Sequence, residues 1–342
     1  MASITKTFID FRGIINSLPK CGFKIYRLCI ILLILFAFNK AFAQLDYPAG
    51  ELPVDTPRLF AKGILSDGLN NRDFGISPTG DEIFFTIQGP RFALSSILRL
   101  VKKDGKWSKP EVAPFSGKWR DLEAAFSPDG RFIYFSSDRP VSGDTKKDFD
   151  IWRVKRLPGG KYGEPENLGP VVNSAKNEFY PSVTRSGNLY FTVEADYGKG
   201  SEDIVICKPN GTGFGKPESL PEDINTKYDE FNAFVDPDEQ FILFSSYGRP
   251  DDMGGGDLYI SRKNKDGDWL PVKHLPALLN SAALDYCPYV TWDKQYLVFT
   301  SNRMNKAFAD GKAKNYQQVN NLLNNPGNGS DDIYWVKFDV NW

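Results

Sequence analysis

The sequence predicts an all-β chain of five similar four-stranded antiparallel sheets. Three observations predict it: a tight turn followed by a strand apolar on both faces recurs five times, a third strand opened by Asp follows most copies, and a glycine-rich turn leads to a short fourth segment.

The turn unit is clearest in AFSPDGRFIYFSSDRP, Ala125 to Pro140. Ser127, Pro128, Asp129 and Gly130 have the residue preferences of a type I turn, with Pro presetting φ at the second corner. Phe132, Tyr134 and Ser136 alternate with Ile133, Phe135 and Ser137, so neither face is charged and both must be covered. A lone hairpin cannot cover both. The same unit returns as GISPTGDEIFFT from Gly75, SVTRSGNLYFT from Ser182, FVDPDEQFILFSS from Phe234 and YVTWDKQYLVFTS from Tyr289. Aligned on Gly80, Gly130, Gly187, Glu239 and Lys294, the copies are spaced 50, 57, 52 and 55 residues apart. That period suits one propeller blade per copy, with loops of variable length.

The third strands are DIWRV at Asp150, DIVIC at Asp203, DLYIS at Asp257 and DIYWV at Asp332, with SILRL at Ser96 as a weaker copy. Fourth segments follow as PENLGPVVNS, PESLPEDINT and LPALLNS. This grammar resembles the TolB-type, WD-repeat-like β-propeller repeats of bacterial envelope proteins, over essentially all of residues 57–342. The resemblance implies a fold and an envelope setting rather than a reaction, since such propellers include binders and enzymes alike. Arg139, Arg249 and Arg303 follow second strands, so pairing with Asp150, Asp257 and Asp332 across the loop is expected.

The chain ends on the third strand of the fifth copy, and PRLFAKGILS from Pro57 has the character of the missing fourth. A five-bladed ring closed by this N-terminal strand is therefore expected, with six blades, as in TolB, the alternative. Upstream, the apolar run CIILLILFAF (residues 29–38) follows Lys20, Lys24 and Arg27 and precedes AFA and Gln44. That is the pattern of a secretory signal over residues 1–43, with a lead at 44–56 and one propeller domain over 57–342; an uncleaved anchor is the alternative. The expected address is periplasmic or secreted, with no membrane span after processing.

Residues beyond 43 carry 36 Lys and Arg against 42 Asp and Glu, a net charge of −6. Such a balance argues against a nucleic-acid binder. Cys207 and Cys287 lie in strands of non-adjacent repeats and are expected to be buried thiols. The one histidine, His274, is expected at the surface of an outer segment, so neither a zinc site nor a Ser/His/Asp system can be assembled. Gly254 to Asp257 lead into a strand and do not form a phosphate loop. No cofactor is expected; calcium is an alternative at the channel mouth, where hard oxygen ligands could converge, although no calcium loop is present.

Two columns stand at the starts of the innermost strands, on the rim opposite the turns. Asn71, Asp121, Glu178, Glu230 and Asp285 precede the aligned turn residue by nine positions; Asp73, Glu123, Tyr180, Asn232 and Cys287 precede it by seven. Members of the first column are also candidates for capping the turn into their strand. The candidate ligand-binding set is Asp73, Glu123, Asp121, Glu178, Tyr180, Glu230, Asn232 and Asp285, converging on the channel mouth. The long loops at 139–149, 248–256 and 303–330 fall on the same rim, and YQQVNNLLNN has the spacing of one short helix.

Two readings follow. One is a non-catalytic binding or scaffolding propeller that grips a glycan or an envelope protein or peptide. The alternative is a glycoside hydrolase, similar to the five-bladed arabinanase-like enzymes only in placing acids at the starts of inner strands, with Asp73 and Glu123 as the carboxyl pair.

Overall fold

Five sheets surround one axis in the computed structural model, which describes residues 46–48, 52–195, 198–211 and 213–342. The signal expected over residues 1–43 lies outside the described residues. Leu45–Trp342 forms one unit.

Each blade is an antiparallel sheet whose strands run outward in chain order. Blade 1 uses Asn71–Ile76, Glu82–Gln88, Ser95–Lys103 and Glu111–Val112, and blade 2 uses Asp121–Phe126, Phe132–Ser137, Asp150–Leu157 and Glu166–Asn167. Blade 3 comprises Glu178–Val183, Leu189–Val193, Asp203–Cys207 and Glu218–Ser219; blade 4, Asp229–Val235, Phe241–Tyr247, Asp257–Arg262 and Lys273–His274. Blade 5 takes Asp285–Val290, Tyr296–Ser301 and Asp332–Lys337 from the end of the chain and Arg58–Leu59 from its beginning.

In that last blade Arg58 pairs with Trp335 and Leu59 with Tyr334. Ser66 adds a clamp, its hydroxyl donating to the Ile333 carbonyl at 2.9 Å and accepting from the Ile333 amide at 3.1 Å. Asn173, Asn225 and Asn280 clamp the third strands of blades 2, 3 and 4 in the same way. Phe60 is fully buried, edge-on to Trp335 of blade 5 and to Phe74 of blade 1. The N-terminal segment thus covers the edge that the C-terminal blade would otherwise expose.

The doubly apolar second strands serve two interfaces at once. In blade 1, Ile83 and Phe85 pack in the cluster shared with blade 5, while Phe84 packs with Phe126, Phe135 and Trp152 of blade 2. In blade 4, Ile242 and Phe244 meet Tyr190 and Ile204 of blade 3, while Phe241 and Leu243 face the other way. At about 1.5–3 kcal/mol for each large side chain taken from water, this sandwiching is the main source of cohesion between blades.

The 303–330 segment carries two helices, α1 (Lys306–Ala309) and α2 (Tyr316–Leu323), with Asn305 and Asn315 as N-caps. Neither buries a side chain, and Asn328 ties the segment to the Gly68 carbonyl beside blade 1. No helix among the described residues is long and apolar enough to cross a membrane. Cys207 and Cys287 are free, buried thiols. His274 is not an ordinary surface residue as expected: its Nε2 lies 2.7 Å from Asp257 Oδ2, tying the fourth strand of blade 4 to its third.

Polar clasps join the turns of neighbouring blades. Glu239, at the blade 4 turn, accepts from Thr184 Oγ1 (2.9 Å), Ser186 Oγ (2.7 Å), Asn188 Nδ2 (2.7 Å) and Tyr190 Oη (3.2 Å) of blade 3, and from Lys263 Nζ (3.0 Å). Burial works against its ionised form, but these donors outweigh burial and hold the carboxyl down at about 2. Because the folded value is depressed, the stabilisation is complete above the ordinary carboxyl range and is lost as pH falls from about 5 toward 2. Glu239→Gln is expected to lose about 1–3 kcal/mol at pH 7 and to be less acid-sensitive than the wild type in that window. Urea unfolding at pH 7, 4 and 3 checks this; parallel losses in the two proteins would remove the clasp from the account.

Candidate functional site

Every innermost strand breaks register at the same place: between Arg72 and Gly75, Leu122 and Ala125, Phe179 and Ser182, Phe231 and Phe234, and Tyr286 and Tyr289. The residue inside each bulge has left-handed backbone, with φ of 49° at Asp73, 62° at Glu123, 51° at Tyr180, 50° at Asn232 and 51° at Cys287. These are the five members of the second sequence column. A left-handed non-glycine residue costs about 1–2 kcal/mol, and a bulge re-aims its side chain out of the pleat. All five are buried.

They meet around Glu123. Its Oε1 accepts from Arg72 Nη2 of blade 1 at 2.5 Å and from Asn232 Nδ2 of blade 4 at 3.1 Å. Its Oε2 accepts from the Tyr180 amide of blade 3 at 2.7 Å and from Ser136 Oγ at 3.4 Å. Arg72 Nη2 also reaches Cys287 Sγ of blade 5 at 3.4 Å, and Tyr180 Oη donates to the Pro288 carbonyl at 2.9 Å. Bonds therefore run between non-adjacent blades, blade 2 to blade 4 and blade 3 to blade 5. The displaced bulge amides find hydroxyls on the preceding blade: Asp73 N donates to Thr300 Oγ1, Glu123 N to Thr86 Oγ1 and Asn232 N to Thr192 Oγ1.

Arg72, Thr86, Thr192 and Thr300 were absent from the sequence-derived set. Signals for them exist. Thr86, Ser136, Thr192, Ser245 and Thr300 each follow the aromatic residue near the end of a second strand, and Arg72 is the lone charge in a column otherwise holding Leu122, Phe179, Phe231 and Tyr286.

The first column sits elsewhere. Asp121 accepts from Arg139 Nη2 and Ser137 Oγ at 2.6 Å each, Glu230 from Arg249 and Thr226, and Asp285 from Arg303 and Ser281. Glu178 accepts from the Ser174 amide at 2.9 Å, and Asn71 donates to Asp67 at 2.7 Å. These residues hold the start of each inner strand to the segment leading into it and, in blades 2, 4 and 5, to the arginine after the second strand. The expected partners of Arg139, Arg249 and Arg303 are corrected accordingly: the three guanidiniums bind the first column, not the third-strand aspartates. Asp150 instead accepts from Lys147 Nζ and Asn167 Nδ2, while Asp257 and Asp332, like Asp203, accept backbone amides of the loop ahead of the third strand, those of Met253, Gly327 and Lys199.

Asp73 and Glu123 form the floor of a cavity running along the axis. Its wall includes Phe74, Phe234, Tyr289, Val290 and Trp292, and Arg185, Asp236 and Lys294 stand at its entrance. The expectation places the opening at the starts of the inner strands. The cavity beside Asp73 opens instead on the opposite rim, that of the tight turns. Its volume of about 50 Å³ has room for three or four water-sized groups.

Two carboxyls and one guanidinium share this floor, so ionisation of both acids leaves one negative charge without a buried counterion. Burial pushes the Asp73 carboxyl up to about 7, with Arg72 opposing and Glu123 reinforcing the shift. Burial also raises Glu123, against Arg72, the Tyr180 amide, Asn232 and Ser136. Asp73 Oδ2 accepts from the Glu123 amide at 3.2 Å, whereas Oδ1 has no hydrogen-bond partner among the described residues. No three His, Cys, Asp or Glu side chains among the described residues are grouped to hold a metal ion.

No family model and no curated protein matches the chain. Solved structures do: a putative TolB from Agrobacterium tumefaciens is similar at 17% identity and a TM-score of 0.47, over 80% of this chain and 91% of that one. TolB from Acinetobacter baumannii is similar at 12% identity and 0.45, over 78% of this chain and 54% of that one, so the chain spans about half of that protein. The periplasmic gluconolactonase of Pseudomonas aeruginosa follows at 10% identity and 0.39, over 67% and 64%. These are likenesses of fold.

The two columns have different expected responses to substitution. Asp121→Ala strands the buried Arg139 guanidinium and is expected to cost about 3–5 kcal/mol. Denaturant titration measures it, and a loss below about 1 kcal/mol would mean that the pair is not part of the frame.

Proposed function

We propose that the chain is an exported envelope propeller that binds a peptide or glycan segment without transforming it, through the channel cavity that ends on Asp73 and Glu123. The observation that carries this reading is an apolar-walled opening with buried, incompletely satisfied polar groups at its end, the usual make-up of a binding pocket.

The same geometry weighs against the hydrolase reading. Glu123 is held by Arg72, Asn232, Ser136 and the Tyr180 amide, so its oxygens are occupied by donors.

Ala125 lines the cavity and is only half-buried, so Ala125→Trp fills the channel while sparing the hub. Peptide and oligosaccharide libraries should yield saturable ligands of the wild type that this variant loses, with thermal unfolding shifted by no more than a few degrees. Binding that survives the substitution would move the site elsewhere, and turnover of an oligosaccharide would overturn the non-catalytic reading.

Export is part of the proposal, and it rests on the apolar run before Gln44. Mass spectrometry of the protein from the envelope fraction should find a chain beginning at Gln44. An intact N-terminus in the membrane fraction would identify an anchor instead.

A further inference from the structure

We infer that the group received at the end of this cavity is a primary ammonium on an unbranched carbon chain, and that Asp73 is its counterion. The inference rests on the turn-rim cavity being the binding site and adds the chemistry of the ligand.

Four observations carry it. Asp73 is 3% exposed, lines the cavity and keeps Oδ1 without a hydrogen-bond partner among the described residues. The floor lacks one positive charge: Arg72 serves Glu123 at 2.5 Å and lies 3.7 Å from Asp73 Oδ2, leaving the second carboxyl with a distant share of one guanidinium. The approach is narrow and apolar, between Phe74, Phe234, Tyr289 and Trp292, which suits a methylene chain and excludes bulky or strongly hydrated cations. At the entrance the charges are already matched, Lys294 with Asp236 at 2.7 Å and Arg185 with Asp238 at 2.5 Å, so a cation meets no net repulsion there.

An ammonium donates three hydrogen bonds, and the Asp73 carboxyl, with the Thr86 hydroxyl on its protein side, has acceptor capacity left at Oδ1. The groups facing Asp73 are Arg72 from its own strand, Glu123 from blade 2, Tyr180 from blade 3, Cys287 from blade 5, and the hydroxyls of Thr86 and Thr300. Among these, Arg72 and Glu123 are the charged pair already joined to each other. The charge that changes on binding is therefore that of Asp73. With its carboxyl raised to about 7, an incoming ammonium must displace a proton at lower pH, so affinity is expected to rise with pH through that value.

The test is titration of the whole chain with n-butylammonium, N-acetyl-lysine amide and n-butanol, followed by nuclear magnetic resonance at pH 6 and pH 8.5. Both amines are charged throughout, and Glu178 and Glu202 are raised into the same range as Asp73, so the pH dependence that belongs to Asp73 is the part lost in Asp73→Asn. Butylammonium is expected to bind saturably, about tenfold more weakly at pH 6 than at pH 8.5, and at least tenfold more tightly than butanol. Asp73→Asn, which keeps the shape and suits the left-handed backbone, should abolish both the pH dependence and the preference over butanol. Binding of N-acetyl-lysine amide as well as butylammonium would assign the site to a lysine side chain; binding of butylammonium alone would assign it to a small free amine. Equal binding of butanol and butylammonium, both lost in Ala125→Trp, would overturn the ammonium inference and leave the cavity reading intact. Amine binding unaffected by Ala125→Trp would overturn both. Unaltered amine affinity in Asp73→Asn would overturn the inference alone, as would calcium displacing the amine from the wild type at millimolar concentration.

Discussion

Five left-handed residues around one axis are the constraint on which the rest of the molecule depends. A strand that continued in regular register would present an ordinary pleat to the channel. The bulge at Asp73, Glu123, Tyr180, Asn232 and Cys287 turns these side chains inward and displaces their amides from the ladder. The conformation is unfavourable for each of them taken alone. Threonine hydroxyls from the preceding blade satisfy the amides of Asp73, Glu123 and Asn232, and the Glu123 carboxylate satisfies that of Tyr180. Strain in one blade is thus offset by bonds from another, which makes the centre a property of the closed ring.

Glu123 is the knot of that arrangement, because it is bonded by blades 1, 3 and 4 and belongs to blade 2. Removing water from so many polar groups is tolerated only where partners replace it. Asp73 is where replacement stops. Asp73 lines the end of an apolar channel with one buried oxygen unpartnered among the described residues, and the Arg72 guanidinium is held by Glu123. Burial and the neighbouring Glu123 raise the Asp73 carboxyl, and the same shortage of positive charge is what the proposed ammonium ligand would supply.

Two acids two residues apart in one strand have opposite roles for a simple geometric reason. The residue before the bulge, such as Asp121, lies in regular ladder and points to its own blade, where Arg139 and Ser137 bind it. The residue in the bulge, Glu123, points to the axis. Regular alternation would send both side chains to the same face, and the extra residue breaks that rule.

The fold was legible in the sequence because a propeller is specified locally and repeatedly. The Ser-Pro-Asp-Gly turn, the doubly apolar second strand and the Asp-opened third strand each follow from residues within a few positions of one another. Four spacings near one period then imply a ring. The short helix at Tyr316–Leu323 was legible for the same reason, its apolar spacing and Asn cap being local signals. Even the incomplete fifth copy pointed to Pro57 as the start of the missing strand. The partners of Arg139, Arg249 and Arg303 were not legible, since the third-strand aspartates and the first-column acids are equally plausible along the chain and differ only in where the loops fold back. The direction of the cavity was not legible either: it depends on Arg72 of blade 1 meeting Glu123 of blade 2 and Cys287 of blade 5, up to 215 residues apart in sequence. Sequence alone determined the repeating unit and therefore the architecture, because turn and strand preferences act over short range. Tertiary structure alone decided which acids brace a single blade and which meet at the axis, because charge, burial and hydrogen-bond satisfaction there are set by all five blades at once.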